Sequence, residues 1–398
     1  MYTRSLHHAL RVSSQGIRLS STKTTRQSSL PAAYYRGGTS RAVFFKTSDL
    51  PASRSDWAPI FRGAIGSPDP YGRQLDGLGG GISSLSKVCV VGDSTHPDAD
   101  VDYTFAALGI RDMDVDFSSN CGNMVSAVGP FAVDSGLFSA DGKSGNGDGG
   151  ADGDAKATVR IHNTNTGKVI HATFPVLDGE AATSGELAID GVAGTAAPIQ
   201  LDFINPAGSR TGKLLPTGGK KDILQGVEAT CIDVANPCVF IKATDLGVPG
   251  TLTPDEITNT PGLLERLDSI RRQAGVKMGL ADTFENVPGS VPKIGIVSTP
   301  TGKQEGKVDL VVRALSVGQP HKAVPITVAL ALATAARLEG STVHEVTSEK
   351  KVDAAGITIG HASGSILVGA TFGEKGGLEY ATVFRTARRL FEGRVFWK

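Results

Sequence analysis

Cysteine is scarce in this chain. Four residues in 398, Cys89, Cys121, Cys231 and Cys238, form no CxxC pair and show no zinc-site spacing. That excludes a disulfide-stapled scaffold and fits free thiols in a reducing compartment. Long apolar runs are also missing. None reaches the ~18 residues a membrane-spanning helix needs. The eight histidines contain no H-E-x-x-H cluster, so no metal centre is read from them. Residues 76–81 are glycine-rich but match neither G-x-G-x-x-G nor a P-loop, and no Lys-Ser/Thr pair follows them. A nucleotide site is therefore not expected. Basic and acidic residues balance at 40 each, and nothing forms the basic face that nucleic acid requires.

Acidic residues are absent from the start of the chain, the first being Asp49. The first thirty residues instead carry Arg4, Arg11, Arg18, Lys23 and Arg26 among many serines and threonines. At ~100° per residue the first three arginines fall on one helix face, opposite Leu6, Leu10 and Ile17. A basic, Ser-rich, acid-free amphipathic leader is the signature of mitochondrial import, and the mitochondrial matrix is the expected address. A disordered basic tail is the alternative. Setting those five residues aside leaves 35 basic against 40 acidic, a mildly acidic remainder.

What the chain has in abundance is glycine, 50 residues, about one in eight. Tight turns and short strands follow from that. Length suggests two or three domains. Strand patterns open at 34–37 and 40–45 around a Gly-Gly turn, continue at 87–91 and 101–108, and form a hairpin over 156–174. Residues 140–154 are almost all Gly, Asp, Ser, Asn and Ala, without EF-hand order, and read as a dispensable loop. A polar stretch from 205 to 221 is the expected crossing between domains. Strand patterns resume at 227–243, 292–298, 307–316, 343–346, 357–359 and 365–372, and 380–397 returns as a strand with a basic tail. Each set encloses one strongly apolar helix, one after Cys121 and one over 324–338. The first contains Gly129-Pro130, where propensity predicts a kink.

The turn at 118–124 organises this pattern. Helix-start amides lack internal partners and carry partial positive charge. They can hold a carboxylate and activate a thiol placed among them. Cys121 has that position, flanked by Asn120 and Asn123; a small buried cysteine that only packs is the plainer reading. Lys87 opens a β-branched strand and is either a snorkelling surface residue or a proton carrier. Arg36, Thr39 and Ser40 cluster at a Gly-Gly turn, as ordinary turn residues or as anion contacts. His321 lies in the polar turn before the second helix. Two helix starts facing one cleft would suit a substrate with several carboxylates.

From about residue 31 onward the chain resembles the PrpF family of 2-methylaconitate, methylitaconate, aconitate and oxalomesaconate isomerases. The resemblance rests on Arg36-Gly37-Gly38-Thr39-Ser40, Gly79-Gly80-Gly81 with Ser84 through Lys87, Asn120-Cys121-Gly122-Asn123, His361-Ala362-Ser363-Gly364 and Arg385-Thr386-Ala387-Arg388, in that order. It implies the α+β fold of diaminopimelate epimerase: two pseudo-symmetric domains, each a strand barrel around a central helix. These would span 31–205 plus 378–398, and 206–377. It implies no metal or organic cofactor, a lysine–cysteine pair at Lys87 and Cys121, and substrate contacts from Arg36, Thr39, Ser40, Ser86, Asn120, Gly122, Asn123, Met124, His321, Ser363 and Gly364. The activity it implies is an allylic proton shift in an unsaturated tricarboxylate. A homodimer is compatible with it. So is a functional link to an aconitase-like dehydratase, either beside catalysis or, as the alternative, as a non-catalytic accessory partner.

Overall fold

Alternation between polar and apolar residues builds much of the first half. The computed structural model describes residues 26–139, 155–354, 356–373 and 377–398. Most of the expected leader and the expected loop over 140–154 lie outside the described residues. The strands of the first half are β1 (Ser28–Gly37), β2 (Ser40–Lys46), β3 (Lys87–Asp93), β4 (Val101–Leu108), β5 (Val115–Asp116), β6 (Ala155–Asn163), β7 (Lys168–Leu177), the two-residue pieces β8 (Glu180–Ala181), β9 (Leu187–Ala188) and β10 (Thr195–Ala196), and β11 (Ile199–Ile204). Helix α1 (Trp57–Ile65) covers this barrel outside and α2 (Gly122–Asp134) fills it.

The second half holds β12 (Asp222–Leu224), β13 (Val227–Val234), β14 (Asn236–Lys242), β15 (Lys293–Ser298), β16 (Leu310–Ser316), β17 (Gln319–Pro320), β18 (Ile357–His361) and β19 (Gly364–Phe372). Short helices α3 (Ala243–Leu246) and α4 (Pro254–Asn259) precede α5 (Leu263–Lys277), which packs outside, and α6 (Ile326–Ala335) fills the interior. Two last strands, β20 (Leu378–Arg385) and β21 (Ala387–Trp397), return to the first barrel, β20 on β11 and β21 on β1.

The halves repeat one topology. A hairpin (β1–β2) is followed by a strand parallel to its second arm (β3), an antiparallel neighbour (β4) and a strand parallel to that (β6). In the second half β13–β14, β15, β16 and β18 pair in the same senses. All ten residues of α6 are buried, and so is every residue of α2 except the last. A helix apolar on every face needs walls on every side, and a closed barrel supplies them. This is the two-barrel α+β architecture expected.

Several local expectations give way to tertiary context. The first strand begins at Ser28, earlier than the pattern suggests. Its opening residues pair with the end of β21, Ser28 opposite Trp397, so residues 28–30 belong to the barrel and not to a leader. Residues 380–397 accordingly lie in two paired strands with no loose tail. Helix α2 runs unbroken through Pro130. An interior proline costs about 3 kcal/mol, but burial around the helix outweighs it, and Gly129 lets the helix approach the Phe174 ring, 2.6 Å from where a Cβ would stand. Residues 227–243 reverse at Ala235 (φ 58°) into two strands. Residues 344–346 form a 3-10 turn instead of a strand, because the Ser341 hydroxyl accepts from the His344 amide at 3.0 Å. Helix α1, unanticipated, buries Trp57, Ile60, Phe61 and Ile65 against the outer face of β2 and β3.

Candidate active site

The starts of α2 and α6 meet between the barrels. A Cβ on Gly122 would stand 2.6 Å from the Ile326 Cβ, so only glycine allows this approach. Cys121 is the N-cap of α2 and Pro325 that of α6, and neither cap side chain hydrogen-bonds a helix amide. The Asn236 side chain ties the two starts together. Its Oδ1 accepts from the Asn120 amide at 3.0 Å, and its Nδ2 donates to the Asn120 carbonyl at 2.6 Å and to Thr327 Oγ1 at 3.2 Å.

The cleft above this junction is walled by both halves. Ser40, Lys87, Asn120, Cys121, Gly122 and Asn123 come from the first, and Ser290, Lys293, Ser316, His321 and Thr327 from the second. Lys87 is buried, with Nζ 5.0 Å from the centre of the Phe105 ring. Lys293 is buried, with Nζ donating to the Ser290 carbonyl at 3.2 Å. Burial pulls the Lys293 ammonium below its ordinary pKa; Cys238 and Cys121 oppose that shift, and Lys87 adds to it. The His321 ring shares a 3.1 Å hydrogen bond between Nε2 and Ser83 Oγ across the halves. Burial first, then Lys87 and Lys293, push it down to about 3, so it is neutral at physiological pH. Among the described residues neither lysine has a carboxylate ion-pair partner. The Oδ1 atoms of Asn120 and Asn123 are buried without a hydrogen-bond partner among the described residues. Two buried amines, a thiol and two helix starts in one cleft favour an anion and can move protons.

The PrpF protein model matches residues 27–398. The chain belongs to the PrpF family. It is 39% identical to 3-methylitaconate isomerase of Eubacterium barkeri, over 93% of this chain and 97% of that one. It is 38% identical to 2-methyl-aconitate isomerase of Shewanella oneidensis, over 93% and 97%. The crystal structure of methylitaconate-delta-isomerase superposes with a TM-score of 0.71 at 39% identity, covering 94% of this chain and 96% of that one.

Not every residue singled out within the PrpF motifs reaches the cleft. Ser40, Lys87, Asn120, Cys121, Gly122, Asn123 and His321 do. Thr39 and Ser363 stand in an adjoining groove that also touches His321. Thr39 Oγ1 accepts from Asn123 Nδ2 at 3.1 Å, and Ser363 Oγ donates to the Lys322 carbonyl at 3.1 Å. Gly364 adopts φ 145° against Asp190, at the edge of that region. Three residues point elsewhere. The Arg36 guanidinium donates to the Gly38 and Thr386 carbonyls. The Ser86 hydroxyl donates to Gln74 Oε1 and the Ile82 carbonyl. Met124 lies in the barrel core. The motif reading missed Lys293 and Asn236. For Lys293 the one available signal was a lysine opening a β-branched strand, the signal that marked Lys87.

His361 is buried outside the cleft. The Ser363 amide donates to its Nδ1 at 3.3 Å, which requires an unprotonated nitrogen there. Burial, then Arg385, push His361 down to about 4; Asp190 opposes that shift, and Arg313 adds to it weakly. The unfolded chain therefore binds this proton more readily than the folded one. The contribution to stability is complete above pH ~6.5 and falls by about 1.4 kcal/mol per pH unit as pH drops toward 4. Urea unfolding at pH 7 and pH 5 should show that loss on top of a similar one from buried His321, and His361→Gln should remove its own share and leave a shallower slope. An equal slope in the variant would show that this ring is not the source.

Proposed function

We propose that this PrpF-family isomerase moves a carbon–carbon double bond by allylic proton transfer in an unsaturated polycarboxylate, with aconitate or 2-methylaconitate as the first candidates. The observation that carries the reading is the cleft's charge: two buried amines without carboxylate partners among the described residues, beside two helix starts. Such a site costs free energy until anionic groups enter. The relatives' names point the same way, one to a methylated tricarboxylate and one to a dicarboxylate.

Lys87, entering the step as an unprotonated amine, takes a proton from the carbon next to the double bond. The electron pair delocalises into the conjugated carboxylate as a dienolate. Cys121 returns a proton at the far carbon, and the double bond has moved. One C–H bond breaks and one forms, and the proton gained by Lys87 then passes to the Cys121 thiolate, which restores both groups, so the step needs no co-reactant. Amides at Gly122 and Asn123 can meet a carboxylate of the substrate. The hydroxyl of Ser40 is a further donor.

Proton NMR of purified protein with trans-aconitate, 2-methylaconitate, methylitaconate and oxalomesaconate in deuterated water tests this. Conversion of one of them, with deuterium at the new C–H bond, is the expected result. An accessory role beside an aconitase-like dehydratase predicts no conversion until the dehydratase is added. Tight binding with neither conversion nor deuterium exchange would mark a metabolite sensor.

We also propose a mitochondrial address, supported by the acid-free basic leader. Because β1 is paired from Ser28, mature protein from isolated mitochondria should begin between about Arg18 and Ser28. Full-length protein in the cytosol would refute the address.

A further inference from the structure

The repeated topology gives Lys87 a counterpart. Lys87 is the first residue of β3, which runs parallel to β2 in the register Val43 with Val88. That register sets Lys87 beside Ala42, two residues after Ser40 opens β2. In the second half Lys293 is the first residue of β15, parallel to β14 and paired with Cys238. Cys238 stands two residues after Asn236 opens β14. Their antiparallel neighbours agree as well. Lys87 faces Ala107 near the end of β4, and the pair Ile294 with Leu315 brings Lys293 to Ser316, the last residue of β16. Ala107 and Ser316 both line the cleft. Lys293 therefore has in the second barrel the place that Lys87 has in the first, and both residues line one cleft.

The two lysines differ in how they are held. The Lys293 ammonium is tethered to the Ser290 carbonyl. Ser290 is fixed in turn from the first half: Asp116 Oδ2 accepts from its amide at 3.0 Å, and its hydroxyl lies 3.0 Å from Ser118 Oγ. Lys87 lies over the Phe105 face without such a tether among the described residues. A fixed donor suits charge stabilisation, since it need not reorganise as charge develops. A freer amine suits proton pick-up.

We infer that Lys293 is a second catalytic lysine, whose ammonium grips the substrate carboxylate conjugated to the moving double bond and holds the negative charge which that carboxylate gains in the dienolate. This rests on the polycarboxylate-isomerase reading. Burial lowers the proton affinity of the Lys293 amine, and an arriving carboxylate restores it, so binding and charging are coupled.

Lys293→Met tests the inference with the substrate that the wild type converts. The expected result is a kcat/KM lower by ~10²–10³, carried mostly by kcat, as when a donor to a developing oxyanion is removed. Thermal stability should hold or rise, because a buried charge is replaced by an apolar chain of similar length. Exchange of the substrate's allylic proton with deuterated water should fall in parallel, because both outcomes pass through the same dienolate. If the Met variant does not fold, Lys293→Gln gives the same reading. Near wild-type kcat in a folded variant would overturn the inference. So would exchange that persists while isomerisation is lost, because Lys293 would then deliver the second proton. A wild type that converts no unsaturated polycarboxylate would instead remove the isomerase reading itself.

Discussion

Lys87→Ala should still bind substrate but lose turnover by the ~10²–10⁴ typical of a missing acid–base group. Binding survives because the amides of the α2 start and the Lys293 amine remain in the cleft. Cys121→Ser keeps a hydroxyl at the α2 N-cap but removes the thiol that returns the proton, and turnover should again collapse. The double variant should be little worse than either single one, because the two residues serve one proton transfer. Isothermal titration with substrate, beside kcat from NMR, separates lost binding from lost chemistry. In deuterated water the wild type labels the product at the new C–H bond, less whatever proton returns internally. Both single variants should lose that label. Near wild-type isomerisation in both would show that neither residue carries the proton.

Much of this site was legible in the residue order, for identifiable reasons. Helix α2 is apolar all round and follows a polar turn, so Cys121 could be placed at a helix start without coordinates. Helix α6 has the same character, which indicated a second barrel. Adjacency along a motif misled where periodicity turns neighbours apart. Ser86 precedes Lys87, yet its hydroxyl turns back to Gln74. Met124 follows Asn123, yet one more residue around the helix carries it into the core. Arg36 is consumed by the carbonyls of its own turn and of Thr386, 350 residues away.

The parts that could not be read are those made by long-range register. Lys293 looks like any lysine at a strand start until β15 lies parallel to β14 and β16 closes beside it. Local propensity likewise could not foresee an unbroken α2. The benefit of burying Gly129 against β7 comes from residues more than forty positions later.

Asn236 is the sharpest case of such a contact, and its replacement should destabilise the protein strongly. The residue is fully buried and spans 116 positions to reach both backbone groups of Asn120. Asn236→Ala would leave the Asn120 amide and carbonyl unpaired and remove a donor from Thr327 Oγ1. Unsatisfied buried polar groups cost about 1–3 kcal/mol each, so a loss of about 3 kcal/mol or more is expected, read as a lower urea midpoint. Turnover should fall as well, because Asn120 is followed by Cys121, whose N-cap position would no longer be fixed. Asn236→Asp is the more telling variant. One carboxylate oxygen can still accept from the Asn120 amide, but the other would face the Asn120 carbonyl, now 2.6 Å from a donor. Two acceptors would be in contact, with a negative charge fully buried. The aspartate should therefore be less stable than the alanine, although it is nearly isosteric with asparagine. If it instead matched the wild type, the amide would not be what joins the two helix starts, and packing of Gly122 on Ile326 alone would have to hold the cleft together.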